Sequence, residues 1–468
     1  MKHLGDNEWL GDFWLPERPD DTVAGLLCVH NHKPILILLG QLGLFSAPRI
    51  PIIHGALVAG QPFITLFDAV IDSESQPGVF NACSVDLTGQ TLQASWIVYG
   101  HWLTEQSRVT HAFVHLTGLD TWAQVPPPSV EPCLEGPGKQ PEVPAIALTS
   151  LEGAQLGSLR LKFRAEHTVE MGLTATKRTA QLEWVAAEPM TCEDVTENIV
   201  IPLKQFFALI RTGPAVIDRY RLRVADVAGI SLEVDGWMVA DSIEERRHET
   251  NAVRRTETGV EPIARWLERY KTLGRAPTTT ANALAGHYPF LDGKFTTMAM
   301  TSEGLHRNLH PEKCGLTRAQ TNAAKRAIKA ATDIDEATKE KLSSLLGGQL
   351  SQPSFRNRIA QLQDDLQPLT QFLCGPTPEL QNCWSQKVVR LRNDYAHALR
   401  DEFESGLTRV LASSLTLLVA ARCLVEAGYR PEQLSESFPK TRAGQNLIHY
   451  GRVYLPSLYG PINFKTSS

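Results

Sequence analysis

Residues 390–399 read RLRNDYAHAL and set Arg392, Asn393 and His397 into a stretch whose apolar residues otherwise keep helical spacing. A guanidinium holds anionic groups through a rigid fork of donors. An imidazole gives and takes protons near neutral pH. The two together suit acid–base chemistry on an anionic substrate. Each also has a plainer use near a helix end, where cations face solvent or favour the negative pole of the helix dipole. Spacing alone does not choose between these readings. Arg and His at comparable spacing recur at Arg49/His54, Arg108/His115, Arg160/His167 and Arg442/His449. Only Arg392/His397 falls late in a capped amphipathic segment, with Asn and Asp directly after the arginine.

Helix geometry adds a constraint. A helix turns about 100° per residue, so five residues put Arg392 and His397 about 140° apart. They meet one substrate only if the helix breaks near Asn393-Asp394 or if a second chain completes the site. Asn393 stands four residues before His397 and steadies the imidazole if the helix runs on.

Other chemistry-bearing groups are weaker. CVHNHKP brings Cys28, His30 and His32 together, but a polar turn explains it, and no metal is expected. GPGK (136–139) and GHYPFLDGKF (286–295) both lack phosphate-loop spacing. The histidines of HRNLH (306–310) read as surface or core residues. Asp364-Asp365 reads as solvated helix surface. Trp9, Trp14, Trp96, Trp102, Trp122 and Trp184 read as core rather than as a stacking platform.

The elements that must position the Arg–His pair lie in the second half. TPELQNCWSQKVVRLRNDYAHAL starts with Thr377 as N-cap and Pro378 at the first helical position. Trp384, Val388, Leu391, Tyr395 and Leu399 form its apolar stripe. SFRNRIAQLQDDLQPLTQFL before it has helical spacing and should kink at Pro368. GLTRVLASSLTLLVAARCLVEAG after it stops at Gly428. GVEPIARWLERYKTLG, LTRAQTNAAKRAIKAAT and EATKEKLSSLLGG are further helices.

The first half alternates in the manner of strands. VAGLLCVHNHKPILILLGQL reads as two strands around HNHKP, and FNACSVDLTGQTLQASWIVYG as two more around LTGQ. SRVTHAFVHL, LGSLRLKFRAEH, QLEWVAA, YRLRVADVAGISLEV and GWMVADS are also β-rich. EDVTENIVIPLKQFFALIRTG holds one helix ending near Gly213. Seven prolines in 125–144 mark a long loop. The fold class is therefore α+β: a β-rich N-terminal domain over 1–250 and an all-α bundle with a C-terminal tail over 251–468. The charged SIEERRHETNAVRRTETG joins them.

The bulk numbers fit a globular chain of 468 residues with 21% charged residues and a net charge of −5. That charge excludes a general polyanion-coating role. Residues 301–430 hold 17 Lys/Arg against 14 Asp/Glu, a net of +3, so the remainder carries −5 − 3 = −8. The helical half is the better seat for an anionic ligand. Eight scattered cysteines read as reduced thiols. With no apolar signal stretch at the N-terminus, the expectation is a cytoplasmic protein without a membrane span. The apolar run 410–421 is too short for one.

RNDYAHAL, after an apolar WSQKVV and before a long apolar helix, resembles the HEPN superfamily signature of an arginine, a polar residue and a histidine. GDFWLPERPDDTVAGLLCVHNHKPILILLGQL, 11–42, is similar to the start of the ApeA N-terminal domain, with its FWLP, its Gly-bearing first strand and its Leu-Gly turn. Together they resemble ApeA-type anti-phage HEPN proteins. The resemblance implies a helical bundle that dimerises and cuts RNA without a metal or other cofactor. His397 would be the acid/base, Arg392 the phosphate clamp and Asn393 the orienting group, with Lys387 and Arg390 extending an RNA-binding rim. RNA supplies its own 2′-OH as nucleophile, leaving a 2′,3′-cyclic phosphate and a 5′-hydroxyl. It further implies abortive infection, tRNA as a fair substrate for a growth-arresting nuclease, and a phage product as trigger. Two rivals stand beside it. One is a non-catalytic HEPN scaffold with a β-rich recognition domain. The other is a carbohydrate- or protein-binding β domain fused to an unrelated bundle.

Overall fold

The computed structural model describes residues 8–30, 33–42, 49–58, 63–71, 89–125, 129–132, 146–149, 155–170, 173–225, 231–238, 251, 260–311, 318–348, 353–396 and 404–460. The chain forms two compact units. One comprises residues 1–207, 215–249 and 254–268, the other 208–214, 250–253 and 269–468.

The first unit is built on strands β1 (Glu8–Leu15), β2 (Arg18–His30), β3 (Lys33–Leu38), β4 (Arg49–Leu57), β5 (Phe63–Ile71), β6 (Gln90–Gln93), β7 (Trp96–Tyr99) and β8 (Arg108–Leu116). The series continues with β9 (Ser129–Pro132), β10 (Ile146–Thr149), β11 (Gln155–Glu170), β12 (Leu173–Thr191), β13 (Ile217–Ala225) and β14 (Ser231–Met238). Six of them close a ring in the order β1-β2-β3-β6-β5-β4, a small barrel. Closure removes the sheet edges that would otherwise expose unpaired backbone. β2 and β3 are apolar on both faces in sequence, but burial alternates: Gly25, Leu27 and Val29 point in, as do Pro34, Leu36 and Leu38. The barrel core contains Phe13, Leu27, Leu36, Ile53, Ile64, Leu66 and Leu92. Gly55 is required there, because a Cβ would come within 2.7 Å of the Phe13 ring and Ile64. From β5 the sheet runs on through β7, β14, β13, β8, β12, β11 and β10, with β9 beside β12.

Short helices accompany this sheet: α1 (Leu119–Ala123), α2 (Cys192–Val195) and α3 (Ile201–Arg211), the last two joined by a π-helical turn. The helix expected near Gly213 is therefore present. α4 (Glu261–Arg269) follows, and its Trp266 donates its indole N–H to the Pro202 carbonyl at 2.8 Å and packs on Phe206. That packing groups 254–268 with the strands.

Two strand expectations need correction. The run after LTGQ is not one strand but two, TLQ in β6 and WIVY in β7. They lie end to end beside β5, each paired to a different stretch of it. FNACSVD lies outside the described residues. Strands β1, β4 and β5 have no counterpart in the sequence reading. SLEV and GWM are one strand, β14. The proline-rich stretch contains β9, and its remaining residues apart from Val125 lie outside the described residues. So does the charged joining stretch apart from Asn251. Of the tryptophans read as core, Trp102 is 37% exposed.

One buried carboxylate carries a pH prediction. Glu183 on β12 is 2% exposed and bonds both Arg160 and Lys162 of β11, the latter at 2.9 Å. Burial opposes its charge, but the hydrogen bonds from Arg160 and Lys162 outweigh it and hold its pKa below the ordinary value. A lowered carboxylate pKa stabilises the fold above about pH 4.5, and that contribution fades as pH falls through and below it. Glu183→Gln should cost about 1–2 kcal/mol at pH 7, both cations being partly solvated. It should also flatten the acid limb of stability between pH 6 and 3. Chemical denaturation across that range measures it, and identical slopes for wild type and variant would refute the assignment.

The second unit is helical: α5 (Ala276–Ala285), α6 (Leu291–Leu309), α7 (Arg318–Ala330), α8 (Glu336–Gly348), α9 (Phe355–Asp364), α10 (Thr370–Leu373), α11 (Pro378–Ala396), α12 (Ser405–Glu426), α13 (Pro431–Ser437), α14 (Arg442–Tyr454) and α15 (Pro456–Tyr459). α12 packs on α5, α6 and α14, and α11 packs on α6 and α9. By length and composition α12 alone among the described helices reaches membrane-spanning apolarity, yet 83% of its most apolar window is buried in the bundle. Pro368 does more than kink its helix: α9 ends at Asp364 and helix resumes only at Thr370. Proline lacks the N–H and restricts the residue before it.

Candidate functional site

α11 carries the Arg–His stretch, and its local sequence explains its position. The Thr377 hydroxyl accepts from the Leu380 N–H, as a cap should. Trp384, Val388 and Leu391 are fully buried, and Trp384 donates from its indole nitrogen to Ser414 Oγ on α12 at 2.9 Å. A glutamine zipper holds the other side: Ser385 donates to Gln363 of α9 at 2.8 Å, and Gln367 donates to Gln381 at 2.9 Å. Tyr395 meets Thr408 of α12 at 2.7 Å through their hydroxyls. α11 is thus fixed on both flanks up to its last turn.

Arg392 projects from that turn with its side chain 34% exposed. Among the described residues it makes only loose contacts. Its Nη1 donates to Asn393 Oδ1 at 3.3 Å, its guanidinium lies 5.7 Å from the Phe355 ring centre, and its Nη2 stands 3.9 Å from Glu303 Oε2. The last distance is an ion pair without a hydrogen bond. Most of its donors therefore remain open to an anion.

Asn393 is exposed, and its Oδ1 accepts from Arg392. Lys387 is half-buried, and Arg390 is 80% exposed, 4.0 Å from Asp394. His397 and Leu399 lie outside the described residues. α11 runs unbroken through Ala396, so the break near Asn393-Asp394 does not occur within the described helix.

The residues behind Arg392 were not foreseen. Glu303 of α6 faces three arginines: Arg307 at 2.7 Å, Arg358 at 3.9 Å and Arg392 at 3.9 Å. One carboxylate against three guanidinium groups leaves the spot positive. Arg358 is almost fully buried, donates to the Pro353 carbonyl at 3.1 Å and reaches His306 Nδ1 at 3.2 Å. A guanidinium only donates. His306 Nδ1 must therefore accept, and its Nε2–H donates to Gln361 Oε1. Burial, followed by the charge of Arg307, lowers the Arg358 pKa, with Glu303 opposing. His306 is a fully buried brace.

A second network corrects the solvated-surface reading of Asp364-Asp365. Asp364 is exposed, but Asp365 bonds His310 at 3.0 Å and Arg422 at 3.2 Å. Arg422 continues to Glu426 at 2.8 Å, and Glu426 to Arg269 at 3.1 Å. HRNLH therefore supplies one core histidine and one paired one. The hint lay in α6. Its buried positions Phe295, Met298, Ala299, Ser302, Leu305 and His306 keep helical spacing, but half of them are small or polar. At the other candidate, Cys28 donates weakly to the Ile35 carbonyl at 3.5 Å, and His32 lies outside the described residues. Among the described residues no group of three ligating side chains comes together.

Residues 296–433 match the Apea-like HEPN family, so the helical unit carrying Arg392 contains a HEPN domain. Residues 8–237 match ApeA N-terminal domain 1, which spans the barrel and the sheet that extends it. The chain belongs to the ApeA-type HEPN proteins, with an ApeA N-terminal domain 1 followed by an Apea-like HEPN domain. No curated protein and no solved structure matches it.

Proposed function

We propose that this chain is a metal-independent endoribonuclease acting in anti-phage defence. The observation that carries the reading is the half-exposed Arg392 guanidinium, anchored on a rigid helix of a HEPN domain with most of its donors open. A guanidinium so held binds a phosphodiester and offsets charge growing on it in the transition state. His397 takes the 2′-OH proton and, from the partner site, returns a proton to the leaving 5′-oxygen. Asn393 keeps Arg392 in register, and Lys387 and Arg390 extend the phosphate contacts. α11 stays helical from Pro378 to Ala396, and if that helix continued, five residues would set Arg392 and His397 about 140° apart, so in this reading a homodimer assembles the site. Abortive infection, tRNA as substrate, a phage product as trigger and a cytoplasmic setting belong to this same reading.

His397→Ala tests the enzymatic part. It should abolish RNA cleavage while RNA binding stays within about threefold, since binding rests on phosphate contacts. Cleavage that survives the substitution favours a non-catalytic HEPN scaffold instead.

A further inference from the structure

α14 is not explained by the site above and lies beyond the matched HEPN residues. Residues 437–468 hold Lys440, Arg442, Arg452 and Lys465 and no acidic residue, in a chain of net charge −5. On α14, Tyr450 and Tyr454 lie one turn apart with rings nearly parallel, 21° between planes and 6.3 Å between centres. The guanidinium of Arg409, on α12, sits 5.0 Å from the centre of the Tyr450 ring. Tyr454 stays 49% exposed, yet its ring is seated. It lies against Gly406, where a Cβ would come within 2.2 Å of it. Lys294 adds charge nearby, its ammonium bonded to the Ala283 carbonyl at 2.8 Å.

One half-buried and one exposed aromatic ring, braced and flanked by cations, suit a stacking surface for nucleobases. Sequence-tolerant stacking of this kind needs unpaired bases, because duplex bases already stack on each other. The location fits as well. Thr408, next to Arg409, bonds Tyr395, one helical turn beyond Arg392 on α11. We propose that Arg409, Tyr450 and Tyr454 form a base-stacking subsite for single-stranded RNA beside the Arg392 end of α11. This rests on the reading of the helical unit as an RNA enzyme and narrows its substrate to unpaired segments.

The test uses the full chain and a fluorescent 12-nucleotide oligouridylate with 2′-O-methyl riboses, which cannot be cut, alongside a 12-base-pair RNA duplex. Wild type should bind the single strand more tightly than the duplex. Tyr450→Leu and Tyr454→Leu should each weaken it about tenfold, equivalent to about 1.4 kcal/mol. Tyr450→Phe and Tyr454→Phe should bind as wild type. Arg409→Gln, at an exposed position on α12, should weaken binding and lower the salt slope by about 0.7. Equal binding of single strand and duplex, or wild-type binding by Arg409→Gln and both leucine variants, overturns the subsite and leaves the patch to a protein partner. If the variants lose binding but wild type never cuts 2′-hydroxyl RNA, the nuclease reading falls and the subsite stands.

Discussion

Arg392→Ala should lower RNA cleavage by about 10²–10³-fold with the fold intact, the scale seen when one preorganised transition-state donor is removed. Stability should barely change. The arginine makes one weak hydrogen bond to Asn393, a long ion pair to Glu303 and a half-solvated contact with Phe355. Together these contribute about 1 kcal/mol or less. Arg392→Lys should recover little, since an ammonium lacks the planar fork that grips two phosphate oxygens. Initial rates on a labelled RNA, at matched concentrations of folded protein, measure the effect. A variant retaining more than about a tenth of wild-type activity would remove Arg392 from the mechanism.

The largest stability effect is expected at Trp384, buried completely and donating to Ser414. Trp384→Ala removes a fully buried indole and its hydrogen bond to α12, and truncations of this kind cost about 3–5 kcal/mol. For a unit of this size that lowers the melting temperature by about 10 °C. Trp384→Phe keeps most of the apolar surface and loses the indole N–H, so its shift should be less than half as large. Calorimetry on the full chain reads both. A shift under about 2 °C for the alanine variant would mean that α11 is held by other contacts, among which the Gln363–Ser385 and Gln367–Gln381 bonds come first.

The legible parts of this protein are those in which one residue decides an outcome. Thr377 and Pro378 announce the start of α11, the Trp384–Val388–Leu391 stripe gives its buried face, and Gly428, with φ of 96°, ends the helix before it. The period-two burial of β2 and β3 is not visible in GLLCV and PILIL, which are apolar throughout and show only that these are strands. What stayed hidden depends on distant partners. Glu303 and Arg358 are ordinary charged residues on separate helices until folding sets them beside Arg392. His306 looks polar, and only Arg358 and Gln361 show why it is buried. Asp365 reads as surface because Arg422 stands 57 residues away. Barrel closure escapes notice for the same reason, since β6 meets β3 and β5 through pairings that local alternation does not encode.

The chemistry of the cut ends tests the central claim most directly. Purified wild-type protein is incubated with RNA in the presence of a chelator, and the termini of the products are identified by mass. Attack by the 2′-OH predicts a 2′,3′-cyclic phosphate or 3′-phosphate with a 5′-hydroxyl, and no cut at a 2′-deoxy substitution. Products ending in 3′-hydroxyl and 5′-phosphate, or cleavage at the 2′-deoxy position, would contradict the account.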